Sequence, residues 1–186
     1  VKAISAQNTS SEGRATVNIN ADTDIVAHST GNAFGIFANE NADITINGNT
    51  NITIDAPNAN TSWYLDSAAI RAYSANASNP DAYSTINING DLSIKTDILA
   101  LYANGAGSTI NLNGGVDITT TKNGQPVVLA EGGSVNINMS DKAEENVVKI
   151  VGNVVSSASL SNSPNKSAAS DIKMQLLNKE SAWQGV

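Results

Sequence analysis

Aliphatic and polar residues alternate at period two in five short segments that are near-copies of one another. They are Ala15 to Asn20, Ala42 to Asn47, Ser84 to Asn89, Ser108 to Asn113 and Gly133 to Asn138, each reading close to Ser-Thr-Ile-Asn-Ile-Asn. Such alternation predicts β-strands. The closing asparagines Asn20, Asn47, Asn89, Asn113 and Asn138 follow one another at steps of 27, 42, 24 and 25 residues, so the period is near 25 and one repeat is oversized. Each repeat carries two more strands. The second holds Thr23, Ile25 and Ala27, then Ile52 and Ile54, Leu92 and Ile94, Val116 and Ile118. The third holds an aliphatic residue followed two places on by alanine: Ile4 and Ala6, Ile36 and Ala38, Ile70 and Ala72, Leu101 and Ala103, Val128 and Ala130.

A period of this length with strand alternation and no helical segment predicts an all-β, right-handed parallel β-helix, a solenoid of about six rungs with three strands each. Val17, Ile44, Ile86, Ile110 and Val135 are expected to stack in one inward column. Ser5, Phe37, Arg71, Tyr102 and Leu129 are expected to form an outward column, with Phe37 and Tyr102 flanking the Arg71 guanidinium as a surface stack. The closing asparagines fall at one corner, where their amides can bond from rung to rung as a ladder. Asn47-Gly48, Asn89-Gly90 and Asn113-Gly114 mark that corner, and both residue types tolerate a left-handed backbone there. Because Ile4 and Ala6 already carry the third-strand pattern, residues 1–186 read as a single β-helix fragment of a longer protein.

Composition narrows the class. The chain is 40% hydrophobic but only 4% aromatic, as expected for an interior in which small aliphatics stack on their own kind about 4.8 Å apart. A formal net charge of −7 with ten scattered Lys and Arg argues against nucleic acid as a partner. The chain has no cysteine, no zinc spacing and no EF-hand or glycine-aspartate calcium repeat, so neither disulfide nor metal nor other cofactor is expected.

The oversized repeat is the informative departure. Two loops, residues 57–67 and 75–83, flank the strand that bears Arg71 and Tyr73, and Trp63, Tyr64, Tyr73 and Tyr83 are half of the chain's aromatic residues. Long excursions on a regular scaffold are disproportionately where binding resides. Trp63, Tyr64, Arg71, Tyr73, Tyr83 and Tyr102 are therefore the candidate ligand-binding residues, and Trp63, Tyr64 and Tyr83 are expected to approach Tyr73. Between these loops and the core no exchange is expected, since the coil needs nothing from Pro57 to Ser67 or from Ala75 to Tyr83.

Beyond Asn138 the pattern loosens into a polar turn at Asp141–Asn146, a strand region from Val147 to Val155 broken at Gly152-Asn153, a Ser/Asn/Ala-rich stretch and a final alternation at Ile172, Met174 and Leu176. Ile150-Val-Gly-Asn-Val154 and the closing Ser181, Trp183 and Gly185 resemble the rung motif of autotransporter passenger domains, and the asparagine-rich, cysteine-free rungs from 15 to 138 are similar too. The resemblance implies a secreted Gram-negative passenger, held at the cell surface by an outer-membrane β-barrel outside this sequence and not itself membrane-inserted. It implies an adhesin or self-association segment whose partner is a host-surface or bacterial-surface protein or glycan, or another copy of itself.

Enzymatic readings fail on residues. Serine–histidine chemistry needs a histidine poised by a carboxylate, and the one histidine, His28, stands at a strand end. A polysaccharide lyase or hydrolase would use clustered carboxylates. Asp24, Asn51 and Asp91 precede the second strand in successive rungs, and Arg71 lies near Asp66 and Asp81, but a rung or more separates them. The chain is not expected to be an enzyme. A carbohydrate-active β-helix is the alternative to the adhesin.

Overall fold

The computed structural model describes residues 1–8, 13–59, 67–74, 83–121, 126–157 and 169–185. The chain runs through six rungs. They are β1 (Lys2–Gln7), β2 (Ala15–Ile19) and β3 (Thr23–His28); β4 (Phe34–Asn39), β5 (Ala42–Ile46) and β6 (Thr50–Asp55); β7 (Ala68–Tyr73), β8 (Ser84–Ile88) and β9 (Leu92–Thr96). Then come β10 (Leu99–Asn104), β11 (Ser108–Leu112) and β12 (Val116–Thr120); β13 (Pro126–Glu131), β14 (Ser134–Ile137) and β15 (Val148–Val151); β16 (Asn153–Ser156), β17 (Asp171–Met174) and β18 (Ala182–Gln184). The first strands of all rungs pair into one six-stranded sheet, the second strands into another and the third strands into the last. Every one of these pairings is parallel, so the molecule is the expected parallel β-helix.

Each sheet sends alternate side chains into the coil, and like stacks on like. In the second sheet Val17, Ile44, Ile86, Ile110 and Val135 occupy one register column, as expected, and Ile172 extends it. Ile25, Ile52, Ile94, Ile118 and Ile150 make the matching column of the third sheet, with Trp183 at its end. Ile4, Ile36, Ile70, Leu101, Val128 and Val154 do so in the first. The three columns meet in a single core. Burying each Ile, Leu or Val is worth roughly 1.5–3 kcal/mol, and only stacked rungs supply that burial.

Polar ladders run beside these columns. Asn47 donates its amide to Asn20 at 2.6 Å, Asn89 to Asn47 at 2.6 Å and Asn113 to Asn89 at 2.8 Å. Asn138 departs from the expected ladder. It takes a left-handed backbone with φ of 57°, donates to the carbonyls of Ala143 and Gln175, and accepts from the Asn146 amide at 2.9 Å. Met139 follows it where glycine follows Asn47, Asn89 and Asn113, and the inserted turn at residues 141–145 gives its amide other partners. A second amide ladder, which sequence reading did not single out, joins Asn87, Asn111 and Asn136 on the outer face of the second sheet. A third sits just past the Asn-Gly corner. There Asp22, Asn49 and Asp91 each accept, through Oδ1, the backbone N–H of the residue stacked on them in the next rung.

The glycine of that corner has a different cause from the expected one. Neither the asparagines nor the glycines of Asn47-Gly48, Asn89-Gly90 and Asn113-Gly114 have positive φ; among the described residues, positive φ falls mostly at the corner that follows the first sheet, at Gly13, Glu40, Asn41, Gly105, Gly107 and Gly132, and otherwise at Asn138 and Gly152. Glycine is required at the Asn-Gly corner because the rungs touch there. A Cβ on Gly90 would lie 2.5 Å from the carbonyl carbon and oxygen of Gly48. Gly90→Ala therefore forces two rungs apart, and it should destabilise the coil by roughly 1–3 kcal/mol in chemical denaturation. Gly31→Ala, where a Cβ meets open space, should be tolerated. Equal denaturation midpoints for the two variants would contradict this account of the corner.

Candidate functional site

The enlarged rung is built around β7. Ala56 and Ala59 are buried in the core, with the Ala59 amide bonded to the Ala56 carbonyl at 2.9 Å. Ser67 is 3% exposed, and its hydroxyl accepts the Ala33 amide at 3.0 Å. The expectation that the coil gains nothing from residues 57–67 is thus corrected at both ends of that segment. Trp63 and Tyr64 lie outside the described residues.

On the outer face of the first sheet, Ser5, Phe37, Arg71, Tyr102 and Leu129 stand in one register column, as expected. The Arg71 guanidinium lies 4.9 Å from the ring centres of both Tyr73 and Tyr102, and 5.8 Å from those of Phe34 and Phe37. Phe34 and Phe37 stack on each other at 5.0 Å, and the Lys2 amine sits 4.4 Å over Phe37. Cation–ring contacts of this kind are worth roughly 0.5–1 kcal/mol when exposed and about 2 when desolvated.

These contacts are desolvated, which corrects the expectation of a surface stack. Tyr102 is 0% exposed, Leu129 1%, and Arg71 and Phe37 6% each. Tyr102, Leu129 and Ala68 form a second apolar cluster outside the coil, against which Leu99 and Val155 pack. Alternation along a strand fixes which residues leave the core; it does not fix whether they reach water.

A buried polar chain completes the cluster. Tyr102 donates its hydroxyl to Oε2 of Glu131 at 2.5 Å, and the Asn104 amide donates to the same oxygen at 3.2 Å. Arg71 Nη2 donates to Asn104 Oδ1 at 3.3 Å. Asn104 therefore bridges a buried cation and a buried anion, the arrangement that makes burial of both tolerable. Glu131 is 2% exposed. Asn104 and Glu131 were missed in the sequence, although each directly follows the alanine of a third-strand pair, Ala103 and Ala130, at one rung offset.

Of the candidate binding residues, the structure thus brings together Arg71, Tyr73 and Tyr102. Tyr83 joins another cluster. Arg14 donates Nε to Asp43 Oδ2 at 2.6 Å and Nη2 to the other carboxylate oxygen, and its guanidinium covers the Tyr83 ring at 3.5 Å. Arg14 also donates to the Tyr83 carbonyl at 3.3 Å. This clamp fixes the start of β8 to the second rung, while the Tyr83 side of the cluster stays open to solvent, the residue being 43% exposed.

His28 stands at the open end of β3, 3.5 Å from the Asp55 carboxylate, with both side chains largely exposed. Asp24 accepts the Asn51 amide at 2.8 Å and Asp91 accepts the Gly115 amide, so two of the carboxylates considered for sugar chemistry hold rungs together. Among the described residues no group of three or more His, Cys, Asp or Glu is placed to hold a metal ion, and no helix is long and apolar enough to cross a membrane. No protein-family model, curated protein or solved structure matches the chain.

The buried chain makes a stability prediction. Tyr102→Phe removes the hydroxyl that donates to Glu131 Oε2 beside Asn104 and should cost roughly 1–3 kcal/mol. Ser5→Ala, in the same column but exposed at the end of the coil, should change stability by less than about 0.5 kcal/mol. Denaturation curves for the two variants check this, and a Tyr102→Phe midpoint equal to the parent's would contradict the bridge.

Proposed function

We propose that the chain is part of a secreted bacterial surface passenger that works as an adhesin or self-association segment, and that it is not an enzyme. The observation that carries the reading is the enlarged rung. The corners around β10 are short, residues 97–98 and 105–107, whereas β7 has an excursion on both sides, residues 56–67 and 74–83; another long segment between strands, residues 157–170, follows β16 in the last rung. Extra chain on a periodic scaffold adds surface in one place without altering the repeat.

The chemistry of the remaining surface supports binding over turnover. Of the acidic residues weighed for catalysis, Asp24 and Asp91 are engaged in rung-to-rung bonds and Asp66 and Asp81 lie outside the described residues; the histidine shares an exposed strand end with one carboxylate. The resemblance to autotransporter passengers adds the location: the cell surface, anchored by a barrel outside this sequence. Its partner would be a host-surface or bacterial-surface protein or glycan, or a second copy of the chain. Trp63 and Tyr64, with the partly open Tyr83, are the anchors this reading assigns to the contact.

Replacing residues 60–66 by a short Gly-Ser linker tests it, since that excision spares Ala59 and Ser67. Displayed on cells, the variant should keep its β-sheet circular dichroism and its cooperative unfolding, while adhesion or cell aggregation falls several-fold. Full adhesion with an intact fold would refute the assignment.

A further inference from the structure

On the outer face of the third sheet the chain forms a groove of about 520 Å³ that the adhesion reading does not use; Asn51 and Asp91, weighed above for sugar chemistry, line it. Its floor is one column of side chains, Asn51, Ser93, Asp117 and Lys149, contributed in register by β6, β9, β12 and β15. All four are exposed. One wall is the corner residue Asp91; the other is the end of the turn at residues 141–146, where Glu145 and Asn146 overhang the floor.

That overhang is held in place. Asn146 donates its amide to the Asn113 carbonyl at 3.0 Å and to Asn138 Oδ1 at 2.9 Å. Asn178, from the last rung, donates to the carbonyls of Glu144 and Glu145 at 3.2 and 3.1 Å. The departure of Asn138 from the corner ladder thus has a consequence: its side chain supports the turn that walls the groove. A pre-formed concavity loses less ordering entropy when a ligand enters.

We propose that this groove binds an extended glycan that carries no negative charge, lying along the coil axis. The lining presents hydroxyl, amide, carboxylate and ammonium groups; of its aliphatic members Leu92 and Val116 are buried to 2% exposure and Val147 is half-buried, which suits a ligand dense in hydroxyls that also carries C–H faces, as a sugar ring does. The floor strands β9 and β12 are each paired on both sides, so a peptide cannot be captured by strand addition, which needs a free edge. One polar residue recurs per rung, about every 4.8 Å, so a repeating polymer meets a donor or acceptor at each step. The charge selects within that class. Asp91, Asp117 and Glu145 outnumber Lys149, which repels sulfated or uronate chains and favours neutral or amino-sugar chains.

The groove lies on a different sheet from β7, so this inference goes beyond the adhesion reading and fails or stands separately from it. The test is calorimetric titration of the purified chain with three hexasaccharides: a β-1,4-linked N-acetylglucosamine oligomer, its de-N-acetylated cationic counterpart, and an oligogalacturonate. Saturable binding is expected for the first two and none for the third. Ser93→Tyr, which fills the floor, should weaken binding at least about tenfold, and Asp117→Asn should weaken the cationic oligomer more than the neutral one. Both residues are exposed, and unchanged circular dichroism will verify the fold; if Ser93→Tyr unfolds, Ser93→Gln serves in its place. Replacement of residues 60–66 should leave these titrations unchanged. Absence of binding by all three probes at millimolar concentration, preference for the anionic one, or equal affinity in the floor variants would overturn the proposal.

Discussion

The distance between successive rungs governs this molecule. A parallel ladder sets strands about 4.8 Å apart, and every position of the repeat must accept its own counterpart at that spacing above and below. Branched aliphatics do so inside the coil, where Ile44, Ile86 and Ile110 stack directly on one another. Amides do so at the corner, since each is both donor and acceptor and can extend indefinitely. Glycine does so where backbone meets backbone, at Gly48, Gly90 and Gly114. The scarcity of aromatic residues follows from the same constraint; of those described, Phe37 and Tyr102 stand on the outer face of the first sheet, Tyr83 where the enlarged rung re-enters the coil, and Trp183 at the end of an inward column.

Much of the fold was legible in the residues because a solenoid repeats its evidence. Each strand is read five or six times, and a misassignment in one rung would conflict with its neighbours. What was not legible had physical reasons. Glycine answers two demands, positive φ and absence of a side chain, and its presence after Asn47, Asn89 and Asn113 cannot tell them apart; the structure assigns close approach there and left-handed backbone to Glu40 and Asn41 at another corner. The outward column of Arg71 and Tyr102 was readable as outward, while its burial depends on what lies over it, which no alternation encodes. The groove was hidden because one wall of it is an irregular turn held by Asn138, Asn146 and Asn178, three asparagines among the 26 in the sequence.

Function on such a scaffold is separable from stability. Binding chemistry placed on the outward positions, as proposed at Ser93 and Asp117, or on excursions, as proposed for the one before β7, leaves the inward columns intact. Positions in the buried chain of Arg71, Asn104 and Glu131 are different, since each is tied to the next across rungs. Variation should therefore concentrate on the exposed floor and the excursions, and the clamp of Arg14 on Asp43 and Tyr83 joins the two regimes by fixing where one excursion re-enters the coil.

The central claim is that the rungs stabilise one another through nearest-neighbour stacking. Native-state hydrogen exchange on the purified chain measures it rung by rung. Protection should be greatest in the central strands β8, β9 and β11, which are paired on both sides, and should decline stepwise toward β1–β3 and β16–β18. Protection that is uniform along the coil, or that peaks at either end, would contradict the account.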